Sequence, residues 1–363
     1  MNFNSIFLKS FRVLLLPFAL LYGVIIIIRN ILYDKKILRS SEFNFPLICV
    51  GNLSVGGTGK SPMVEYLIQL LRPHFKIATV SRGYKRKTKG YVLAKDNTTA
   101  LDIGDEPMQF HINFPDIAVA VGEERIVAIP QLLHDKPDTQ AIILDDAFQH
   151  REVRAGFNIL LTQYDDLFTK DFFLPTGDLR DQRASYQRAD VIIVTKCPAT
   201  ITDDERKEII NEIEPLAHQK IFFTAIEYGV PYHISNHSFK KITTEDEVLL
   251  VCGIANPKPL KDYIAENAAT YYQMDYSDHH IFRIDDLKDI RKKYESITVD
   301  KKMILTTEKD AVRLIKFSEE LRDMHLYVLP IRHKFLFNAG SEFDEMALNF
   351  IRNFKMREEV VEE

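Results

Sequence analysis

Residues 50–62 read VGNLSVGGTGKSP, and their composition is suited to holding phosphates. Gly56, Gly57 and Gly59 free a run of backbone N–H groups to turn inward. Lys60 adds a cation for the outer phosphates and Ser61 a hydroxyl for Mg2+. The nucleotide-binding stretch therefore comprises Ser54, Val55, Gly56, Gly57, Thr58, Gly59, Lys60 and Ser61. One position departs from G-x-x-x-x-G-K-[ST]: Ser54 replaces the first glycine, which mainly shapes the turn. Downstream, AIILDDAFQH ends an apolar run on Asp145 and Asp146, where a metal-ordering carboxylate belongs in a P-loop enzyme. Either acid suits that role. A guanine-specific switch protein is disfavoured. In VIIVTKCP the place that must be Asp is Pro198, and Phe148 and Gln149 stand where a switch glycine would follow Asp145 or Asp146.

Phosphoryl transfer to a hydroxyl also needs a group to take the proton. Two further segments offer one. GDEP places Asp105 and Glu106 in a turn before Pro107, and SDHH places Asp278 beside His279 and His280. A histidine near a carboxylate is a common way to tune a base. Zinc finds no support, because no His-x3-His pair or cysteine partner is nearby.

These residues need elements to position them. Continuous apolar runs at 47–51, 76–81, 117–121, 141–146, 157–162 and 190–195 predict strands covered on both faces. Met63, Val64, Leu67, Ile68 and Leu71 fall on one face of a helix over 61–71, with Pro62 in its first turn and Pro73 beyond its end. The expected fold class is α/β: a P-loop NTPase-like, mostly parallel sheet with helices on both faces. A second, smaller α/β unit is predicted from runs at 248–253, 302–307 and 326–330, with helices after Pro257 and from Glu308. The expected division is an anchor over 1–40, a nucleotide-binding core over 41–220, a smaller cleft-forming domain over 221–355 and a charged tail over 356–363.

The chain of 363 residues carries a net charge of −5, with the sign unevenly spread. Residues 1–40 hold Lys9, Arg12, Arg29, Lys35, Lys36 and Arg39 against Asp34 alone, so the remainder is acidic. An acidic body argues against nucleic acid as a partner. Nothing points to an obligate protein partner. Cys49, Cys197 and Cys252 are widely spaced and make neither a disulfide framework nor a metal motif. Between the basic flanks, residues 13–28 (VLLLPFALLYGVIIII) are uncharged. Sixteen helical residues span about 24 Å, less than the roughly 30 Å of hydrocarbon. No cleavage site follows, which argues against a signal peptide. A helix resting in one leaflet with its cations on anionic headgroups is expected, a tilted span and a buried helix being the alternatives.

Together these stretches resemble the tetraacyldisaccharide 4′-kinase family of the Gram-negative lipid A pathway. The resemblance rests on VGNLSVGGTGKSP, SRGYKRK (81–87), GDEP (104–107), ILDDAFQHREVRAGFNILL (143–161), LPTGDLRDQRASYQRADVIIVTK (174–196), CGIANP (252–257), SDHHIF (277–282) and TTEKDAVRL (306–314), in family order. It implies transfer of the ATP γ-phosphate to the 4′-hydroxyl of a tetraacylated glucosamine disaccharide 1-phosphate, giving lipid IV-A. The implied cofactors are ATP and Mg2+, and Ser54 becomes part of the family pattern. By the resemblance Lys60 and Ser61 serve ATP and Mg2+, and Asp145 and Asp146 form the metal-ordering pair. Asp105 is the base and His279 tunes it. Arg82, Glu106, Gln149, His150 and Arg180 face the acceptor. Asp181 stands where the family has glutamate, one methylene shorter, which weakens it as a metal ligand. Asp178 replaces a proline and Ala147 a glycine. The implied location is peripheral or monotopic on the cytoplasmic side of the inner membrane, among membrane lipids. The alternative reading is a membrane-tethered P-loop regulatory NTPase.

Overall fold

The computed structural model describes residues 12–354. Lys9 and the predicted tail over 356–363 lie outside the described residues. A short 3-10 turn, Val13–Leu15, leads into α1 (Leu16–Asp34), with Pro17 in the first turn, where a missing N–H costs nothing.

The larger sheet has nine strands. In chain order these are β1 (Leu47–Asn52), β2 (Ile77–Ser81), β3 (Val92–Leu93), β4 (Ala118–Val121), β5 (Ala141–Asp145), β6 (Phe157–Gln163), β7 (Val191–Thr195), β8 (Lys220–Tyr228) and, after an insertion, a strand Ile331–Phe335. Every residue of β1, β2, β5 and β7 is buried, as a sheet covered on both faces requires. One face packs on α2 (Lys60–Leu71), through Met63, Val64, Leu67, Ile68 and Leu71, and on Phe110 of α3 (Asp105–Asn113). The other carries Ala128, Ile129 and Leu132 of α4 (Arg125–Asp135) and Ile209 and Ile213 of α5 (Asp203–Ile213).

The insertion forms a five-stranded sheet of β9 (Tyr232–His233), β10 (Glu247–Cys252), β11 (Thr270–Asp275), β12 (Lys302–Thr307) and β13 (Leu326–Leu329). It is covered by α6 (Lys258–Asn267) on one face and by α7 (Ile284–Glu295) and α8 (Glu308–Leu314) on the other. The chain then re-enters the larger sheet as β14 (Ile331–Phe335), antiparallel to β8, and closes with α9 (Gly340–Arg352), whose Phe343 and Ala347 join the α2-side core. The strand order is β14-β8-β7-β6-β1-β5-β2-β4-β3, with β1 at the centre and parallel to both neighbours.

The expected boundary at 221 needs correction. Residues 220–228 and 331–352 belong to the nucleotide-binding unit, so the smaller unit is an insertion between β8 and β14. The sequence pattern missed this because β8 and β14 pair across about a hundred intervening residues.

Candidate active site

The loop after β1 turns into α2 at Gly59, whose φ of 90° is a left-handed conformation that favours glycine. A Cβ there would also sit 3.0 Å from the His333 ring. That ring holds the loop, with Nε2 hydrogen-bonded to the Gly59 carbonyl at 2.9 Å and Nδ1 paired with Thr224 Oγ1. Thr195 Oγ1 donates to the Thr58 carbonyl at 2.9 Å. The loop's entry is pinned differently. Ser54 forms an isolated antiparallel bridge with Leu179, and Val55 N donates to the Asp178 carbonyl. Ser54 is absent from the positive-φ residues, so this entry does not require glycine.

Lys60 reaches back along the loop, its Nζ 3.2 Å from Asn52 Oδ1 and 3.6 Å from Asp146 Oδ1. Burial lowers its pKa, against the opposing pull of Asp146. Asp146 adopts φ 49°, a left-handed conformation rare for a residue with a Cβ, and two hydrogen bonds from Arg180 hold it there. Burial acts against its ionisation, but Lys60 and Arg180 prevail and keep it ionised far below the usual carboxylate range. Asp145 is the opposite case. It is buried, its Oδ1 has no hydrogen-bond partner, and burial followed by the Asp146 charge raises its pKa to about 7. Thr58 Oγ1 is likewise buried and unpartnered. An orphaned carboxylate oxygen next to an ionised partner fits a divalent cation. Ala147 takes the family's glycine position without strain, since the positive φ falls one residue earlier.

Gln149 donates its amide to the Asn52 carbonyl. His150 lines a cavity of about 1280 Å3 with Arg125, Arg151, Arg154 and Arg188. Burial, then Arg125 and Arg82, lower the His150 pKa to about 4. Sequence reasoning passed over Arg125, which is buried with Nε and one terminal amine unpartnered. Arg82 is exposed beside Ser81, whereas Arg86 of the same basic stretch is tied to Glu123 at 2.7 Å.

Asp181 is not positioned as a free metal ligand. Its Oδ1 accepts from Asn30 Nδ2 and Gln182 N at 2.8 Å each, and its Oδ2 from Arg188 at 3.0 Å. It anchors α1 instead. Arg29 donates to the Gln149 carbonyl, Tyr22 to the Arg180 carbonyl, and Arg12 to Pro175, Gly177 and Asp178. A Cβ on Gly23 would lie 2.6 Å from Phe173, so this glycine lets the helix come close. The outer face of α1 is left with Phe18, Leu20, Leu21, Val24, Ile25 and Ile28 exposed.

The remaining acids meet across the two units. Gly104 (φ 94°) lets the chain turn into α3, placing Asp105 and Glu106 in its first turn, where the helix dipole favours carboxylates. Asp105 Oδ2 accepts from His279 Nδ1 at 2.8 Å and from Arg313 at 2.6 Å. Burial opposes ionisation there, but Arg313 and then His279 outweigh it and lower the Asp105 pKa. Arg313 was not anticipated. Its side chain is steered by Asp310 of the same helix, which also caps the Gly253 amide. Lys309 pairs with Glu106 at 3.2 Å, and the Glu106 charge is felt at Asp145. His280 faces away, bonded to Asp286, and Asp278 Oδ2 lies 3.8 Å from His279 Nε2.

Comparison with known proteins bears on the family and the fold. The family model described as Tetraacyldisaccharide-1-P 4′-kinase matches residues 11–351. A tetraacyldisaccharide 4′-kinase of Flavobacterium johnsoniae is 46% identical, with 94% of this chain and 97% of the relative covered. One from Bacteroides thetaiotaomicron is 41% identical, over 93% of each. A crystal structure of LpxK from Aquifex aeolicus in complex with ATP superposes with a TM-score of 0.72 at 28% identity, covering 94% of this chain and 99% of that one. This chain belongs to the tetraacyldisaccharide 4′-kinase family.

Proposed function

We propose that the chain transfers the γ-phosphate of ATP to the 4′-hydroxyl of a tetraacylated disaccharide 1-phosphate, yielding lipid IV-A, at a membrane surface. The observation that carries this reading is Asp105, bonded to His279 and Arg313, with its neighbour Glu106 close enough for its charge to be felt at Asp145 beside the Lys60–Asp146 pair. The free Oδ1 of Asp105 takes the acceptor's proton, while Oδ2 is held by the histidine and the guanidinium. A base of lowered pKa suffices, because a loose transfer keeps the proton on the hydroxyl until late. Lys60 and the loop amides cradle the outer phosphates, with Arg180 holding Asp146 in place. Asp145, Asp146 and Ser61 would hold Mg2+, which when bound neutralises charge on the transferring group. The regulatory NTPase reading has no comparable support.

For the acceptor we assign Gln149, His150, Glu106 and Arg82, and the cationic cavity that His150 lines suits a phosphate-bearing amphiphile. Membrane attachment is supported by α1. Contacts from Arg12 to Asp34 dock one face of it onto the catalytic unit, leaving the apolar face outward. A helix docked along its whole length suits a monotopic position better than a span. We assign that position to the cytoplasmic face of the inner membrane, where ATP is available.

Incubation with γ-labelled ATP and the tetraacyl acceptor in detergent micelles tests the reading. Label should appear in the lipid, and ATP hydrolysis without labelled lipid would overturn it. A chain lacking residues 1–33 should leave vesicles for the soluble fraction, and unchanged partitioning would sink the anchor.

A further inference from the structure

At the end of α3 away from Asp105, two buried carboxyl groups meet. Glu65 lies one turn into α2 and Glu308 opens α8, with 5% and 8% of their surfaces exposed. Asn113 of α3 bridges them, its Nδ2 lying 2.9 Å from Glu65 Oε1 and 3.4 Å from Glu308 Oε1. Gln109 gives Glu65 a second donor at 3.0 Å, while Glu308 receives the Ile331 amide at 3.2 Å. The other groups facing the pair are the exposed Arg332 of β14, whose charge lowers both, and Tyr232 of β9 with His237 stacked on it.

Two carboxylates sharing one amide in so little water cannot both ionise. Burial raises the Glu65 pKa to about 7 against the pull of its Asn113 and Gln109 donors, so Glu65 ionises first and the proton stays longer on Glu308. Burial, followed by the Glu65 charge, raises the Glu308 pKa to about 8.

The position of this pair gives it a consequence. Helices α3 and α8 lie antiparallel, with Arg313 on Asp105 and Lys309 on Glu106 at one end and Glu308 against Asn113 at the other. We propose that Glu308 is a positioning residue: while its carboxyl is neutral the inserted unit stays packed on α2 and α3 beside Glu65, and its ionisation there sets two buried charges against each other, frees α8 and withdraws Arg313 and His279 from Asp105. The hold is complete below the ordinary carboxylate range and is lost as pH rises through about 8. This inference rests on Asp105 as the base.

The test is kcat of the full chain in micelles, at saturating ATP and lipid acceptor, between pH 7 and 9.5. Label transfer by the unmodified chain at pH 7 checks the kinase reading separately. Above pH 8 its kcat should fall roughly tenfold per unit, as one titrating group requires. Glu308→Gln and Glu65→Gln each remove one of the two charges, so either should raise the ratio of kcat at pH 9 to kcat at pH 7 at least fivefold. Profiles parallel to the unmodified enzyme would overturn the proposal. A spin-label pair at the exposed Lys95 and Glu319 gives a second readout on a chain with both glutamates intact. The distance should lengthen between pH 7 and 9.5, and an unchanged distance would also overturn it.

Discussion

The phosphate side of the cleft and the proton side are built on different plans. Asn52, Lys60, Asp145, Asp146 and Arg180 all come from one unit, at or after its adjacent strands β1 and β5 or from the loop before β7. Asp105, by contrast, gains its partners only when α8 and the 277–280 turn of the insertion reach it. A site held by one rigid body is set before the nucleotide arrives. One shared by two bodies can be assembled or dismantled without disturbing phosphate binding.

Breaking the one-body side should cost most. Lys60→Ala removes the cation on the outer phosphates and should lower kcat by about a thousandfold or more, measured by label transfer. On the two-body side, Asp105→Ala should cut kcat by about 10²–10⁴ with ATP affinity unchanged by calorimetry. A parallel loss of ATP affinity would erase the contrast between the two sides. Arg313→Lys keeps the charge but loses the fork joining Asp310 to Asp105, at a cost of about tenfold in kcat with KM for ATP unmoved. It also bears on pH. Arg313 and His279 hold Asp105 ionised below the usual range, so the activity it supports persists into acid and is lost only as pH falls through that lowered value. In Arg313→Lys the acid limb should move up towards the ordinary aspartate range. Smallest is Asn30→Ala, which takes one donor from the buried Asp181 and should cost about 1–3 kcal/mol, seen as a melting point lower by several degrees.

The same contrast explains what could be read from the sequence. Strands β1, β5 and β7, the loop glycines and the adjacent acids announce themselves by local pattern, because what they do depends on near neighbours. Arg313 and the purpose of Asp181 were hidden, since a partner 208 or 151 residues distant leaves no local trace. Glu65 draws its meaning only from Asn113, which bridges it to Glu308 of the insertion. The departure at Ser54 likewise has its account in a distant partner: the loop enters through a β-bridge to Leu179 rather than through a turn needing positive φ.

His333 holds the Gly59 carbonyl from 274 residues further along the chain. During synthesis the phosphate loop is therefore among the earliest segments made, yet its support arrives only after the entire insertion has emerged. Contacts of such sequence separation form late and slow folding. A nascent chain stopped before residue 331 would carry every glycine of the loop and still lack the brace beneath it. The bracing of the loop is therefore complete only once translation has passed the insertion.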